Sequence, residues 1–123
     1  MARTITPRHI TPAEVAVIRA ALELTPSPSP ATRLPVSVED LWVVGQCECG
    51  CDSVDFIPSE TELHSRPIAE GIATTPSGGK VGVIVWGTDD AVTSLEIYDL
   101  GAGDGNVRLP IPESIQPWDP GAA

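Results

Sequence analysis

The sequence predicts an α+β fold in which one N-terminal helix packs on an antiparallel meander sheet of four to five strands. Residues 12–24 show helical periodicity, and residues 41–99 show short apolar or alternating runs between turn residues. The 123 residues suffice for one domain, assigned here to 1–123. With 13 prolines, 11 glycines and only 4% aromatic residues, the core is expected to consist of aliphatic side chains on short elements.

The helix has the clearest local signal in the chain. Thr11 stands at the cap, Pro12 at the first helical position, and Glu14 where its side chain can return to the Thr11 amide. The helix is expected to span 12–24 and to end before Pro26. Residues 1–9 show no periodicity and are expected to be loose. The predicted buried stripe is Val15, Ile18, Ala21 and Leu22.

A proline-rich connector, residues 25–35, leads from the helix to the sheet. The runs 41–48 and 51–58 predict a hairpin that turns at Cys49-Gly50.

A polar connector that holds His64 comes next, and it is followed by three predicted strands with turns between them. Val81–Trp86 is almost continuously apolar, which is typical of a central strand covered on both faces. The next strand alternates, so one of its faces is expected to be buried. Residues 100–123 are expected to form a loop and a proline-rich tail. The assignments are a strand at Ile68–Thr75, a turn at Pro76–Gly79, and buried Thr93, Leu95 and Ile97.

The charge is distributed unevenly along the chain. The net charge is -10, with +2 in residues 1–34 and -12 in residues 35–123. Such an acidic body repels phosphate, so neither nucleic acid nor an anionic membrane is expected as a partner. A basic partner protein fits the charge, although the charge could also serve solubility alone. The sequence shows neither a membrane-spanning run nor a signal-peptide pattern, which predicts a cytoplasmic protein; the oligomeric state stays undetermined.

All three cysteines, Cys47, Cys49 and Cys51, lie within five residues. With His64 as a fourth ligand they could hold zinc or monovalent copper, since thiolates are the preferred soft ligands. However, no second ligand pair exists, and side chains two residues apart on a strand are about 6–7 Å apart. A redox role is the second alternative, but Glu48 and Asp52 flank Cys49-Gly50-Cys51 and oppose thiolate formation by raising the thiol pKa. Small structural thiols in a tight hairpin are the favoured interpretation.

The motifs that mark common enzymes are missing from the sequence. It contains no Gly-x-Ser-x-Gly elbow, no His-Glu-x-x-His pair and no complete phosphate-binding loop. We therefore expect a non-catalytic protein without a cofactor that binds another protein, of the immunity, inhibitor or accessory type.

One resemblance supports the order of the strands. The pattern Gly45-x-Cys47-x-Cys49-Gly50-Cys51-x-Ser53-Val54-x-Phe56 is followed by Gly82–Val85, by Leu95-Glu96-Ile97-Tyr98, and by Leu109-Pro110 and Pro112. It resembles small uncharacterised proteins of high-GC bacteria that carry a Cys-x-Cys-Gly-Cys-x-Ser/Thr-Val hairpin ahead of a Leu-Glu-Val-Tyr strand. The likeness covers about residues 43–115. It implies no activity and assigns no catalytic or binding residue.

Overall fold

Helix α1 begins where the capping signal predicts it. The computed structural model describes residues 2–24, 38–47, 51–57, 65–88, 91–101 and 107–117, and of residues 2–4 and 47 it describes the backbone. Helix α1 spans Pro12–Glu23. Thr11 Oγ1 accepts from the Glu14 amide at 3.1 Å, and Glu14 Oε1 accepts from the Thr11 amide at 2.9 Å. The capping box is thus confirmed.

The buried stripe of α1 differs from the predicted one in its N-terminal half, where Glu14 and Val17 are buried in place of Val15. Val17, Ile18, Ala21 and Leu22 are buried together with Glu14, whereas Val15 is half-buried. These positions follow the spacing i, i+3, i+4, i+7 and i+8 counted from Glu14. The prediction missed this register because a charged residue occupies its first position.

In the residues that the structure describes, the sheet has seven antiparallel strands rather than four to five. Their order across the sheet is β1-β2-β3-β6-β5-β4-β7. The strands are β1 Ala2–His9, β2 Trp42–Cys47, β3 Val54–Asp55, β4 Arg66–Thr74, β5 Lys80–Gly87, β6 Val92–Asp99 and β7 Gln116–Pro117.

The prediction that residues 1–9 are loose is wrong. They form β1, an edge strand that pairs with β2 and shows a register irregularity between Thr4 and Arg8. Arg8 also donates to both carboxylate oxygens of Glu14, at 3.1 and 2.9 Å. The strand is stabilised by partners distant in sequence, so its own residues need no alternating pattern.

The sheet is only partly a meander, and it extends beyond the predicted range 41–99. Strands β4, β5 and β6 follow one another, but β3 pairs with β6, so the chain crosses over between β3 and β4. The tail contributes β7, which pairs with β4. Short-range patterns do not specify such long-range pairings.

The turn between β4 and β5 lies at the predicted Pro76–Gly79. Gly78 has a φ of +92°, which glycine adopts without steric cost. The Thr75 amide donates to the Gly79 carbonyl at 2.8 Å, and the Gly79 amide donates to Thr75 Oγ1 at 2.9 Å.

One face of strands β4 to β6 forms the core beneath α1. The register places Gly71 opposite Val83, which in turn lies opposite Ile97. A side chain at Gly71 would collide with the Gln116 carbonyl at 2.7 Å, so the missing Cβ lets the tail approach the sheet. Helix α1 lies against β4 and β5. The buried residues of this face are Val54, Ala69, Gly71, Ala73, Val81, Val83, Val85, Leu95 and Ile97.

Candidate functional site

The cysteine cluster is the site that the sequence singles out. Cys47 ends β2, and Cys51 is half-buried, with its thiol donating to Ser53 Oγ at 3.4 Å. Cys49 and His64 lie outside the described residues, so the predicted metal site of Cys47, Cys49, Cys51 and His64 stays a prediction. Within the described ranges, no three His, Cys, Asp or Glu side chains form a group that could hold a metal ion.

The segment after the cluster is held in place by Ser53 and Asp52. The Ser53 hydroxyl accepts from the Ile97 amide at 2.8 Å and donates to the Ile97 carbonyl at 3.1 Å. It thereby continues the hydrogen bonding of β6 just before β3 begins. Asp52 Oδ2 accepts from the Leu109 amide at 2.6 Å. These contacts give this side of the β2–β3 hairpin a structural role, in line with the predicted antiparallel pairing of the two runs.

A second candidate site is the sheet face opposite the core. Side chains directly across adjacent antiparallel strands share a face, and the register defines this face in three rows. The first row holds Asp55, Ser94, Trp86 and Pro67, the second Glu96, Ile84 and Glu70, and the third Tyr98, Gly82 and Ile72. We call these ten residues the acidic face. Lys80, paired with Thr74, lies one row beyond.

The acidic face is not covered as the core face is. The aliphatic and aromatic side chains of Ile72, Ile84, Trp86 and Tyr98 are only half-buried, in contrast to fully buried Val83 on the core face. The sequence-based prediction that β5 is covered on both faces is therefore wrong for Ile84 and Trp86. The continuous apolar run Val81–Trp86 did not reveal that one face of β5 is fully buried and the other only half-buried.

Two aromatic rings have defined positions on the acidic face. The Trp86 indole Nε1 donates to Glu96 Oε1 at 3.0 Å. The Tyr98 ring lies over Gly82, because a Cβ at residue 82 would stand 2.0 Å from Cζ and 2.4 Å from both Cε atoms of the ring. Tyr98 therefore occupies the space that a side chain at position 82 would fill.

The carboxylates of this face have few partners of their own. Burial raises the pKa of Asp55, and burial followed by the charges of Glu70 and Glu96 raises the pKa of Tyr98. In the part of the chain that the structure describes, no hydrogen bond or ion pair engages the carboxylates of Asp55 and Glu70. Asp55 is half-buried, and a half-buried carboxylate without a donor is an unfavourable arrangement that a cationic partner would relieve, whereas Glu70 is exposed and open to such a partner.

Sequence reasoning missed this site, although one signal for it was present. The alternation in β6 that predicts buried Leu95 and Ile97 also places Glu96 and Tyr98 together on the other face. The pairing register of β4, β5 and β6 places Trp86 and Glu70 on the same face as Glu96 and Tyr98. This register cannot be read from the sequence.

Comparison with known proteins adds no further assignment. Protein-family models, curated proteins and solved structures yield no match to this chain. Within the described residues, no helix is long and apolar enough to cross a membrane.

Proposed function

We propose that this chain is a non-catalytic binding protein whose acidic face docks a basic region of a partner protein. The observation that carries the proposal is a half-exposed sheet face on which Ile84, Trp86 and Tyr98 stand among three carboxylates. An immunity, inhibitor or accessory role fits a protein of this size that acts by binding. No cofactor is needed for such a role.

Two properties of the face suit a protein partner. Aromatic residues are enriched in protein interfaces, where they bury a large area at a low cost in side-chain entropy. The carboxylates of Asp55, Glu70 and Glu96 stand in the three rows of the face, and the cation that the described register places beside these rows is Lys80, beyond the third row. The resulting negative potential attracts basic surfaces and repels nucleic acid and anionic lipids.

The dimensions of the face indicate its share of an interface. It spans three strand spacings and four residues along the strands, or about 14 Å in each direction. That is the scale of a central hot spot rather than of a complete interface. We therefore expect the partner to contact residues around the face as well.

The proposal is tested with a labelled peptide of alternating arginine and valine, its binding followed by fluorescence anisotropy at low salt. The triple variant Asp55→Asn, Glu70→Gln, Glu96→Gln removes the charges of the face. We expect it to bind the peptide at least about fivefold more weakly, because three charge interactions of a few tenths to one kcal/mol each, about 1–3 kcal/mol in total, are lost.

A matched control changes the net charge by the same amount elsewhere. The variant Glu23→Gln, Asp40→Asn, Glu113→Gln removes three exposed carboxylates outside the acidic face. We expect this control to weaken binding by less than about threefold, since distant charges are screened. Equal losses in both triple variants, with native circular dichroism, would show that the peptide responds only to net charge and would refute the proposal.

A further inference from the structure

Ile84 occupies the centre of a four-sided arrangement on the acidic face. Glu96 and Glu70 flank it on the two neighbouring strands, in the same row. Two strand spacings separate these glutamates, which places their Cα atoms about 10 Å apart. Along β5, Trp86 stands on one side of Ile84, and Gly82 with the Tyr98 ring above it stands on the other. Each of these positions is about 7 Å from Ile84.

The four sides have complementary chemistry. Two glutamates flank Ile84 on the neighbouring strands, and two aromatic side chains lie on either side of it along the strand direction. The hydrogen bond from Trp86 Nε1 to Glu96 orients the indole and leaves the second carboxylate oxygen of Glu96 for another donor. The charges of Glu70 and Glu96 both contribute to raising the pKa of Tyr98, so the fields of both carboxylates reach the phenol.

This arrangement matches the requirements of a cationic side chain. A guanidinium or ammonium group is attracted by the faces of aromatic rings and by carboxylates, and its aliphatic stem packs on an apolar surface. Ile84 supplies that surface and offers no polar group of its own.

We propose that Ile84, Glu70, Glu96, Trp86 and Tyr98 form a subsite that receives one arginine or lysine side chain of the partner. This inference rests on the proposed function and deepens it, because it names the group that the acidic face recognises. Asp55, at the edge of the face, lies outside the subsite.

Two variants separate a local subsite from a general charge effect. Ile84→Lys places a cation inside the subsite, and Thr74→Lys adds the same charge to the same side of the sheet, about 14 Å away by strand geometry. With the arginine–valine peptide, we expect Ile84→Lys to weaken binding at least about tenfold and Thr74→Lys by less than about threefold, given a screening length of about 8 Å.

A second measurement uses the unaltered protein and does not depend on the folding of any variant. The indole N–H resonance of Trp86, assigned with Trp86→Phe, is expected to shift on addition of the arginine peptide. It should stay in place with the same peptide carrying citrulline, the neutral counterpart of arginine. A missing shift, or an equal shift with citrulline, overturns the subsite.

The outcomes also distinguish the subsite from the proposed function. Equal losses in Ile84→Lys and Thr74→Lys, together with a loss in the Asp55, Glu70 and Glu96 triple variant, overturn the subsite and leave the acidic face as the docking surface. Unchanged binding in that triple variant overturns both. A loss in Ile84→Lys but not in Thr74→Lys, together with a loss in the triple variant and the Trp86 shift, supports both.

Discussion

Replacing Glu14 with glutamine tests the contact that joins the helix to the first strand. Glu14 accepts three hydrogen bonds, two from Arg8 and one from the Thr11 amide. Its side chain is 7% exposed and that of Arg8 is 37% exposed. Glutamine keeps the size of the side chain but removes its charge and one acceptor, so both the ion pair and half of the capping box are weakened.

The expected loss of stability follows from these contacts. A hydrogen-bonded ion pair with one half-exposed partner contributes about 1 kcal/mol, and the returning half of the capping box about 1 kcal/mol. Because glutamine can still accept from the Thr11 amide, the free energy of unfolding of Glu14→Gln should fall by about 1–2 kcal/mol, which corresponds to roughly 4–8 °C in melting temperature for a domain of this size.

The loss should also depend on pH in a defined direction. Burial raises the pKa of Glu14, but the hydrogen bonds from Arg8 and Thr11 outweigh it, so the pKa lies below its ordinary value. A depressed carboxyl pKa contributes stability that is present above the unfolded-state pKa and lost as the pH falls through the folded-state pKa. The difference between the wild type and Glu14→Gln should thus shrink as the pH falls from the ordinary glutamate pKa through the lowered pKa of Glu14.

Urea unfolding followed by circular dichroism across this pH range measures the difference. Glu23→Gln is the matched control, because Glu23 is an exposed residue in the last turn of the same helix. A negative charge there opposes the helix dipole, so its removal should leave stability unchanged or slightly higher. A Glu14→Gln loss that equals that of the control, or that stays constant with pH, would falsify the reasoning.

Four further predictions concern other parts of the chain. Gly71→Ala should lower the free energy of unfolding by about 1–3 kcal/mol, because the added Cβ would collide with the backbone of the tail. Thermal unfolding measures this loss, and an unchanged melting temperature would contradict the prediction. Ser53→Ala should cost about 1–3 kcal/mol in urea unfolding by depriving a β6 amide of its acceptor, whereas Ser53→Thr should restore most of the loss. Tyr98 is the single tyrosine, so phenolate absorbance should show a higher titration midpoint in the folded than in the urea-unfolded protein, and stability should decline as the pH rises from the unfolded-state pKa through the folded-state pKa. Protein purified without added metal should contain less than about a tenth of an equivalent of zinc, and a stoichiometric amount would instead support ligation by the 47–51 cluster.

Local signals in the sequence predicted local structure correctly. Thr11 and Glu14 are three residues apart, and their reciprocal hydrogen bonds depend on that spacing alone. Gly78 likewise lies at the turn where its backbone conformation is required. Such elements need no information from elsewhere in the chain.

Features that depend on distant partners were missed for a common reason. Strand β1 is held by β2 and by the contact of its own Arg8 with Glu14 of the helix, and β3 pairs with β6 across about 40 residues of chain. The acidic face needs the register of β4, β5 and β6, whereas composition drew attention to the cysteines. The place of Trp86 in this face is defined by its row and by its hydrogen bond to Glu96, neither of which is visible in the sequence.

Strand β3 is only two residues long, and this has a consequence for how the protein opens. Among the described residues, hydrogen bonding to β6 narrows there to Val54, Asp55, the Ser53 hydroxyl and the Phe56 amide, between the β1–β2 pair and the β4–β6 meander. Helix α1 bridges the two parts, because it lies on β4 and β5 while Glu14 binds Arg8 of β1. The narrow junction alone would let the two parts unfold separately. The helix couples them through the Arg8–Glu14 contact, so we expect them to open together while that contact is intact. In native-state hydrogen exchange, β1 and β2 should then share one opening free energy with β5, until the Arg8–Glu14 contact is removed.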